Sequence, residues 1–364
     1  MYIYNEKDWP NFAWDANRIM PLLSEVRHMQ GLLVGKLGAM GFPFQDVASL
    51  EALTLDVIKS SEIEGEMLDK AQVRSSLARC LGLDMPGMVV SSRDVDGMVE
   101  MLVDATREYK KPLSRERLFG WHSSMFPTGR SGILRIRVGA WRNDKNGPMQ
   151  VVSGPLGRER LHYQAPEASH LSAEMRAFLA WFNGCKNMDP VLKAGVAHFW
   201  FVTLHPFEDG NGRVARALTD MLLARADGMP QRFYSMSAQI RLERKRYYEV
   251  LEFSQHGELD ITHWLVWFLE CLARAIKSSD GVVGKVVRKH SLFEQHSHAK
   301  LNERQRMMLG KLAEGFEGLL TTVKWAKITH CSPDSALRDI QALIEMGILK
   351  KDAAGSRSTS YSVV

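Results

Sequence analysis

The sequence predicts a mainly α protein, with a helical core interrupted by one β-hairpin and a small winged-helix domain at its C-terminal end. Three observations point there. Apolar residues recur at helical spacing in one segment after another between residues 44 and 280. Two short β-prone runs, Met149 to Ser153 and Leu161 to Gln164, flank a turn carrying Gly154, Pro155 and Gly157. Residues 301–364 spell three short helices and then two strands.

Residues 1–43 open with aromatic side chains (Tyr2, Tyr4, Trp9, Phe12, Trp14). They continue with Ile19, Leu22, Leu23, Val26, Met29, Leu33, Leu37 and Met40, one face of an amphipathic helix that packs on the next unit. Residues 44–280 form the main domain. There Leu50, Leu53, Val57 and Ile58 keep helical spacing up to Ser60, and Gly65 is a helix stop. Ser114 and Asp260 are N-caps, and Gly184 and Gly228 lie just beyond helix ends. Residues 281–300 contain Gly, Lys, Ser and His without helical apolar spacing and read as a linker. Its His290, His296 and His298 have only Glu294 beside them, a poor donor set for a metal. In residues 301–364, Leu301 to Leu312, Thr322 to Ile328 and Ser332 to Met346 are the helices. Ile348 to Lys351 and Ser360 to Val363 are the strands, joined by a turn at Gly355.

Composition bounds the function. With 45% hydrophobic and 24% charged residues over 364 positions, the chain has the make-up of a water-soluble protein with a substantial core. It opens without a basic-then-apolar leader pattern, and its most apolar stretches, near 196–204 and 264–269, are too short to span a bilayer. The expectation is a cytoplasmic protein with no membrane partner. Cys80, Cys185, Cys271 and Cys331 are scattered, which points to buried free thiols and away from zinc or a disulfide framework. A net charge of +5 is low for a nucleic-acid binder.

The chemistry concentrates in His205-Pro-Phe-Glu-Asp-Gly-Asn-Gly-Arg-Val-Ala-Arg216. Gly210 and Gly212 let the backbone around Asn211 take positive φ and approach a ligand, and Val214, Leu218, Met221 and Leu222 begin a helix there. A helix N-terminus faces an anion with its N–H groups and its dipole. Arg213 and Arg216 share one face of that helix and can grip phosphate oxygens; Asp209 is a hard oxygen donor suited to Mg²⁺, and His205 is a base.

This stretch resembles the signature HPFx(D/E)GNGRxxR of the Fic family at every specified position. The resemblance implies a protein adenylyltransferase that moves AMP from ATP to a Ser, Thr or Tyr hydroxyl of a target protein. It makes His205 the general base, Asp209 the Mg²⁺ ligand, and Gly210, Asn211 and Gly212 a phosphate cradle. Arg213 and Arg216 would sit at the β/γ end, and Phe207 would anchor the loop in the core. Upstream, Ser60-Ser61-Glu62-Ile63-Glu64-Gly65 is similar to the family's inhibitory pattern (S/T)xxxE(G/N), with Ser60 and Glu64 expected on one helix face. In the family that glutamate pairs with the second arginine, here Arg216. The hairpin resembles the family's flap, which takes up a target segment as an added strand. Tyr248 is a candidate for packing on adenine, beside a core-like Tyr247.

Rival readings stay open at this level. The same site serves transfer of another nucleotide or phosphoryl group, or removal of AMP with Glu64 orienting water. The winged helix offers a second class, a DNA-binding regulator. Charge weighs against that, because residues 301–364 carry nine Lys/Arg and seven Asp/Glu, and Arg338 is outnumbered by Asp334, Asp339 and Glu345 on the presumed recognition helix. Packing, homodimer formation or target docking fits that balance better.

Overall fold

The computed structural model describes residues 1–38, 42–83, 85, 87–145, 147–155, 157–296, 298–313, 316, 318–352 and 359–364. These divide into two units, Met1–Ser279 and Asp280–Val364. The first begins with a short 3₁₀ turn, Ile3–Asn5, and an extended segment stapled to distant parts of the chain. Ala13 N–H donates to Leu259 O and Ile261 N–H donates to Ala13 O, each at 2.9 Å, and Trp9 lies edge-on to Trp200. Helix α1 (Ala16–Gly38) then buries Ile19, Leu23, Val26, Leu33 and Leu37, the face expected. Met40 lies outside the described residues.

Helices α2 (Phe42–Ile63), α3 (Lys70–Leu81), α4 (Arg93–Arg107) and α5 (Arg115–Met125) follow. Asp69, Ser92 and Ser114 cap the last three by accepting an N–H from Gln72, Val95 and Arg117, respectively. A small hairpin, β1 (Arg130–Ser131) with β2 (Leu134–Arg135), precedes the expected larger one, β3 (Gln150–Ser153) with β4 (Arg160–Gln164). That larger hairpin is antiparallel, and its register shifts between Val151 and Val152, a bulge. Next come α6 (Ala168–Gly184), α7 (Pro190–Leu204), α8 (Asn211–Asp227), α9 (Met236–Leu242), α10 (Arg244–Gln255) and α11 (Thr262–Gln295). Gly184 is the last residue of α6 rather than beyond it, whereas Gly228, at φ +72°, caps α8 as expected.

The expected linker is a correction. Helix α11 continues to Gln295, so most of 281–300 is helical. Val283, Val286 and Val287 repeat at helical spacing, and extending a formed helix past Gly281 and Gly284 costs far less than nucleating one there.

The second unit contains α12 (Glu303–Ala313), α13 (Thr322–Thr329) and α14 (Pro333–Glu345), then β5 (Leu349–Lys351) antiparallel to β6 (Tyr361–Val363). The expected turn at Gly355 lies outside the described residues. Its core gathers Leu292, Met308, Leu309, Trp325, Ile340, Leu343 and Ile348. On α14, Asp339 accepts hydrogen bonds from Arg304 Nε at 2.6 Å and Nη2 at 3.0 Å, so that acid is already neutralised inside its own unit.

Because Leu292 belongs to this second core, a chain ending at Ser279 should retain a folded main unit, while one ending at 295 should carry an exposed apolar stub. A cooperative melt and a monodisperse gel-filtration peak for the 1–279 chain is the expected result; aggregation of that chain would contradict the division.

Among the cysteines only Cys271 is buried, and Cys80 is exposed, which corrects the expectation of buried thiols. No helix among the described residues is long and apolar enough to cross a membrane.

Candidate functional site

Helix α7 delivers the base. Asp189 caps its start, accepting the Val191 N–H at 2.8 Å, and its end is His205, whose backbone is left-handed at φ 49° and ψ 56°. A non-glycine residue there is strained by roughly 1 kcal/mol or more and needs outside support. Arg142, 3% exposed, supplies it. Its Nε donates to His205 O and its backbone N–H to Pro206 O, both at 2.8 Å, and it is held in turn by Asp144 and Pro166 O. His205 Nδ1 lies 3.2 Å from Val202 O, which fixes the proton on Nδ1 and leaves the Nε2 lone pair to receive one. Burial, helped by the Arg142 charge, pushes the imidazole pKa down to about 4, so it is neutral at pH 7.

The loop that follows is tied from inside. Phe207 is fully buried and stacks on His122 with ring centroids 4.1 Å apart. Gly139 N–H donates to His122 Nδ1, so Nε2 carries the proton and donates to Asp209 O, both at 3.1 Å. The Asn211 side chain faces inward: Oδ1 accepts the Phe207 N–H at 2.9 Å and Nδ2 donates to Phe207 O at 2.8 Å. Its expected share in a phosphate cradle is thus confined to its backbone N–H. Gly210, at φ +81°, is the N-cap of α8, and the N–H groups of the first turn have no partner within the helix. Asp209 Oδ1 accepts the Gly210 N–H at 2.6 Å and Oδ2 accepts from the Ser131 hydroxyl on β1. Among the described residues no three His, Cys, Asp or Glu side chains form a metal-binding group.

Both arginines are buried and both are held. Arg216, 2% exposed, donates through Nε to Ser60 Oγ at 2.8 Å, and through Nη2 to Ser60 O at 2.9 Å and Glu64 Oε1 at 2.7 Å. Glu64 sits just past the last residue of α2, in a turn where Gly65 takes φ +87°, rather than on the helix face with Ser60. Arg213, 3% exposed, donates to Glu66 at 2.6 Å and packs over the Phe126 ring at 4.9 Å. Gly212 leaves room for the Glu64–Arg216 pair: a Cβ there would lie 2.2 Å from Glu64 Oε1. The void left between the arginines, Ser60, Asp56 and Asp220 is about 10 Å³, room for a single water. A cavity of about 540 Å³ lies elsewhere, against Arg115, Phe119, Trp141 and Arg176, and none of the motif side chains lines it.

The β3–β4 hairpin is fastened at its base. Tyr163 donates to Thr203 O at 2.7 Å, just before His205, and His162 Nδ1 lies 2.6 Å from Glu252 on α10. Among the described residues β3 pairs only with β4, leaving its outer edge open. On α10, Tyr248 stays partly exposed under the Arg244 guanidinium at 5.4 Å, while Tyr247 is a core residue whose hydroxyl bonds His198 Nε2 at 2.9 Å. Arg142, His122, Ser131 and Glu66 escaped the sequence reading. Glu66 follows the (S/T)xxxE(G/N) pattern directly, but no spacing rule reveals the turn that brings it back.

Burial holds His122 at about 4, His198 at about 3 and His205 at about 4, all below the ordinary 6.5. An unfolded chain would protonate these rings at about pH 6.5 while the folded one resists, so stability present above that pH is lost as pH falls toward 4. The melting temperature should therefore drop steadily between pH 7 and 5; a flat profile would contradict the burial of the three rings.

The motif lies within a segment that matches a known family. Residues 112–223 match the Fic/DOC family model, and residues 2–83 match DUF4172, a domain of unknown function. The chain is 28% identical over 236 residues to the protein adenylyltransferase Fic of Culex quinquefasciatus, covering 63% of this chain and 42% of that protein. It is 32% identical over 239 residues to that of Drosophila virilis, covering 63% and 43%. The chain thus spans less than half the length of these relatives. Among solved structures, a Fic family protein from Desulfovibrio desulfuricans G20 aligns over 97% of each chain at TM-score 0.57 and 17% identity. A Fic domain containing signaling protein from Bacteroides thetaiotaomicron aligns over 73% of this chain and 96% of its own at TM-score 0.51 and 18% identity. The fold is shared.

Proposed function

Since a Fic/DOC domain spans the motif, we propose that this protein is an autoinhibited protein adenylyltransferase, taking ATP and a Ser, Thr or Tyr hydroxyl of a protein target. The observation that carries the reading is the His205 tautomer, with Nδ1–H on Val202 O and Nε2 free, beside a helix N-terminus built for phosphate. The hydroxyl oxygen bonds to the α-phosphorus as the bond to pyrophosphate breaks, and the hydroxyl proton passes to Nε2 of His205. The first-turn N–H groups of α8 orient the phosphates, and Arg213 and Arg216 take the β/γ end once released from their carboxylates. The open edge of β3 holds the target segment by strand addition.

One carboxylate plus nucleotide phosphates and water is a donor set that suits Mg²⁺, and Asp209 would hold it; bound there, the ion neutralises phosphate charge. Scattered free thiols support a cytoplasmic setting.

Incubation with nucleoside triphosphates labelled at the α or γ phosphate tests the reading. Label from α-labelled ATP alone should enter the protein; label from the γ position would replace nucleotidyl with phosphoryl transfer. Asp209→Ala should weaken Mg²⁺-dependent ATP binding by roughly 10-fold or more as well as slowing turnover. ATP affinity indifferent to Mg²⁺ in the parent would remove that role.

A further inference from the structure

Glu64 is not alone on the arginines. Glu66, two residues on, ends 2.6 Å from Arg213 Nη1, and Arg213 is as buried as Arg216. The two carboxylates come from one tight turn. Glu64 N–H and Glu66 N–H both donate to Ser61 O, at 3.1 and 3.0 Å, and Gly65 N–H donates to Glu62 O at 3.2 Å. The positive φ of Gly65 folds the chain back, so that Glu66 returns to the arginines instead of running away from them. Asp69 then caps α3, fixing the turn from its other side.

We infer that the Glu64-Gly65-Glu66 turn is a two-carboxylate stopper in which Glu66 masks Arg213 while Glu64 masks Arg216, erasing the site's preference for triphosphate over monophosphate nucleotides. The inference rests on the reading of residues 205–216 as the nucleotide site. Each guanidinium is buried, so its carboxylate occupies the place a phosphate oxygen would take, and water cannot substitute for it cheaply. A monophosphate meets only the α8 N–H groups and is spared the competition. A triphosphate has to displace Glu64 to gain Arg216 and Glu66 to gain Arg213 for its β and γ phosphates. Asp209 does not replace Glu66, because it stands 3.6 Å from Arg213 Nη2, beyond hydrogen-bond reach. Glu66 is the more exposed of the two, with 44% of its side-chain surface open against 28% for Glu64, so its hold is the weaker one.

The test is the ratio of AMP to ATP dissociation constants, measured by calorimetry with Mg²⁺ on the full chain, for the parent, Glu64→Gly, Glu66→Gln and the double variant. The parent ratio should lie near one. Glu64→Gly should raise it by up to about 100-fold. Glu66→Gln should add roughly 10-fold in the Glu64→Gly background and only a few-fold alone. Glu62→Gln, which removes the same charge from the same segment but pairs with Lys59 and Arg241, should change nothing. A double variant no different from Glu64→Gly, or a gain reproduced by Glu62→Gln, would overturn the role of Glu66. If Glu64→Gly itself left the ratio at one, the nucleotide reading of the site would fall with it.

Discussion

Glu64→Gly should raise self-modification by up to about a hundredfold, because the substitution frees Arg216, the buried arginine that Glu64 holds at 2.7 Å. A lock closed in about 99% of molecules corresponds to roughly 2.7 kcal/mol, and that is the ceiling on the gain. Arg216→Ala added to Glu64→Gly should cancel the increase, since the freed guanidinium is its source. Incorporation of α-labelled ATP by the three proteins decides the matter. No increase would remove Glu64 from regulation, and a decrease would favour the rival in which Glu64 orients water to remove AMP.

The opposite extreme is His205→Ala. Loss of a positioned base should slow transfer by roughly 10²- to 10⁴-fold while ATP affinity stays within about twofold, because the ring contacts neither arginine. The left-handed backbone at this position complicates the variant, since alanine inherits the strain and loses the Nδ1 bond to Val202 O. His205→Gly tolerates the same backbone without strain and should melt no lower than the alanine variant. Both should be equally inactive; activity retained in either would end the assignment of His205 as base.

The motif was legible because its chemistry is local. Glycines at a helix start, a base before them and arginines three apart on the helix can be read without knowing the fold. The contact of Glu64 with Arg216 was legible only through the family resemblance, and that of Ser60 with Arg216 was not read at all. What stayed hidden depends on which way a side chain turns. Asn211 is expected in the phosphate cradle, yet its side-chain amide closes the loop onto Phe207. Arg142 sits far upstream in the chain, yet it braces His205 and Pro206. The end of α11 stays hidden because residues 281–300 show a polar, glycine-containing composition without a clear apolar face, whereas a long helix already under way passes through Gly281 and Gly284. Hairpin strands came within a residue or so of their true ends, since alternation and turn residues mark both sides.

The stapling of Ala13 between Leu259 and Ile261 has a consequence for synthesis. The aromatic segment around Trp9 is synthesised long before its docking partners: Trp9 waits for Glu174 and Trp200, and Asp15 for Thr262. Contacts of such separation form last, after the loop-closure entropy of the intervening chain has been met. Until then Trp9 and Phe12 are unsheltered on a growing polypeptide, an apolar handle for chaperones. A nascent chain halted short of residue 259 therefore keeps that handle open, and only a nearly complete main unit can hide it.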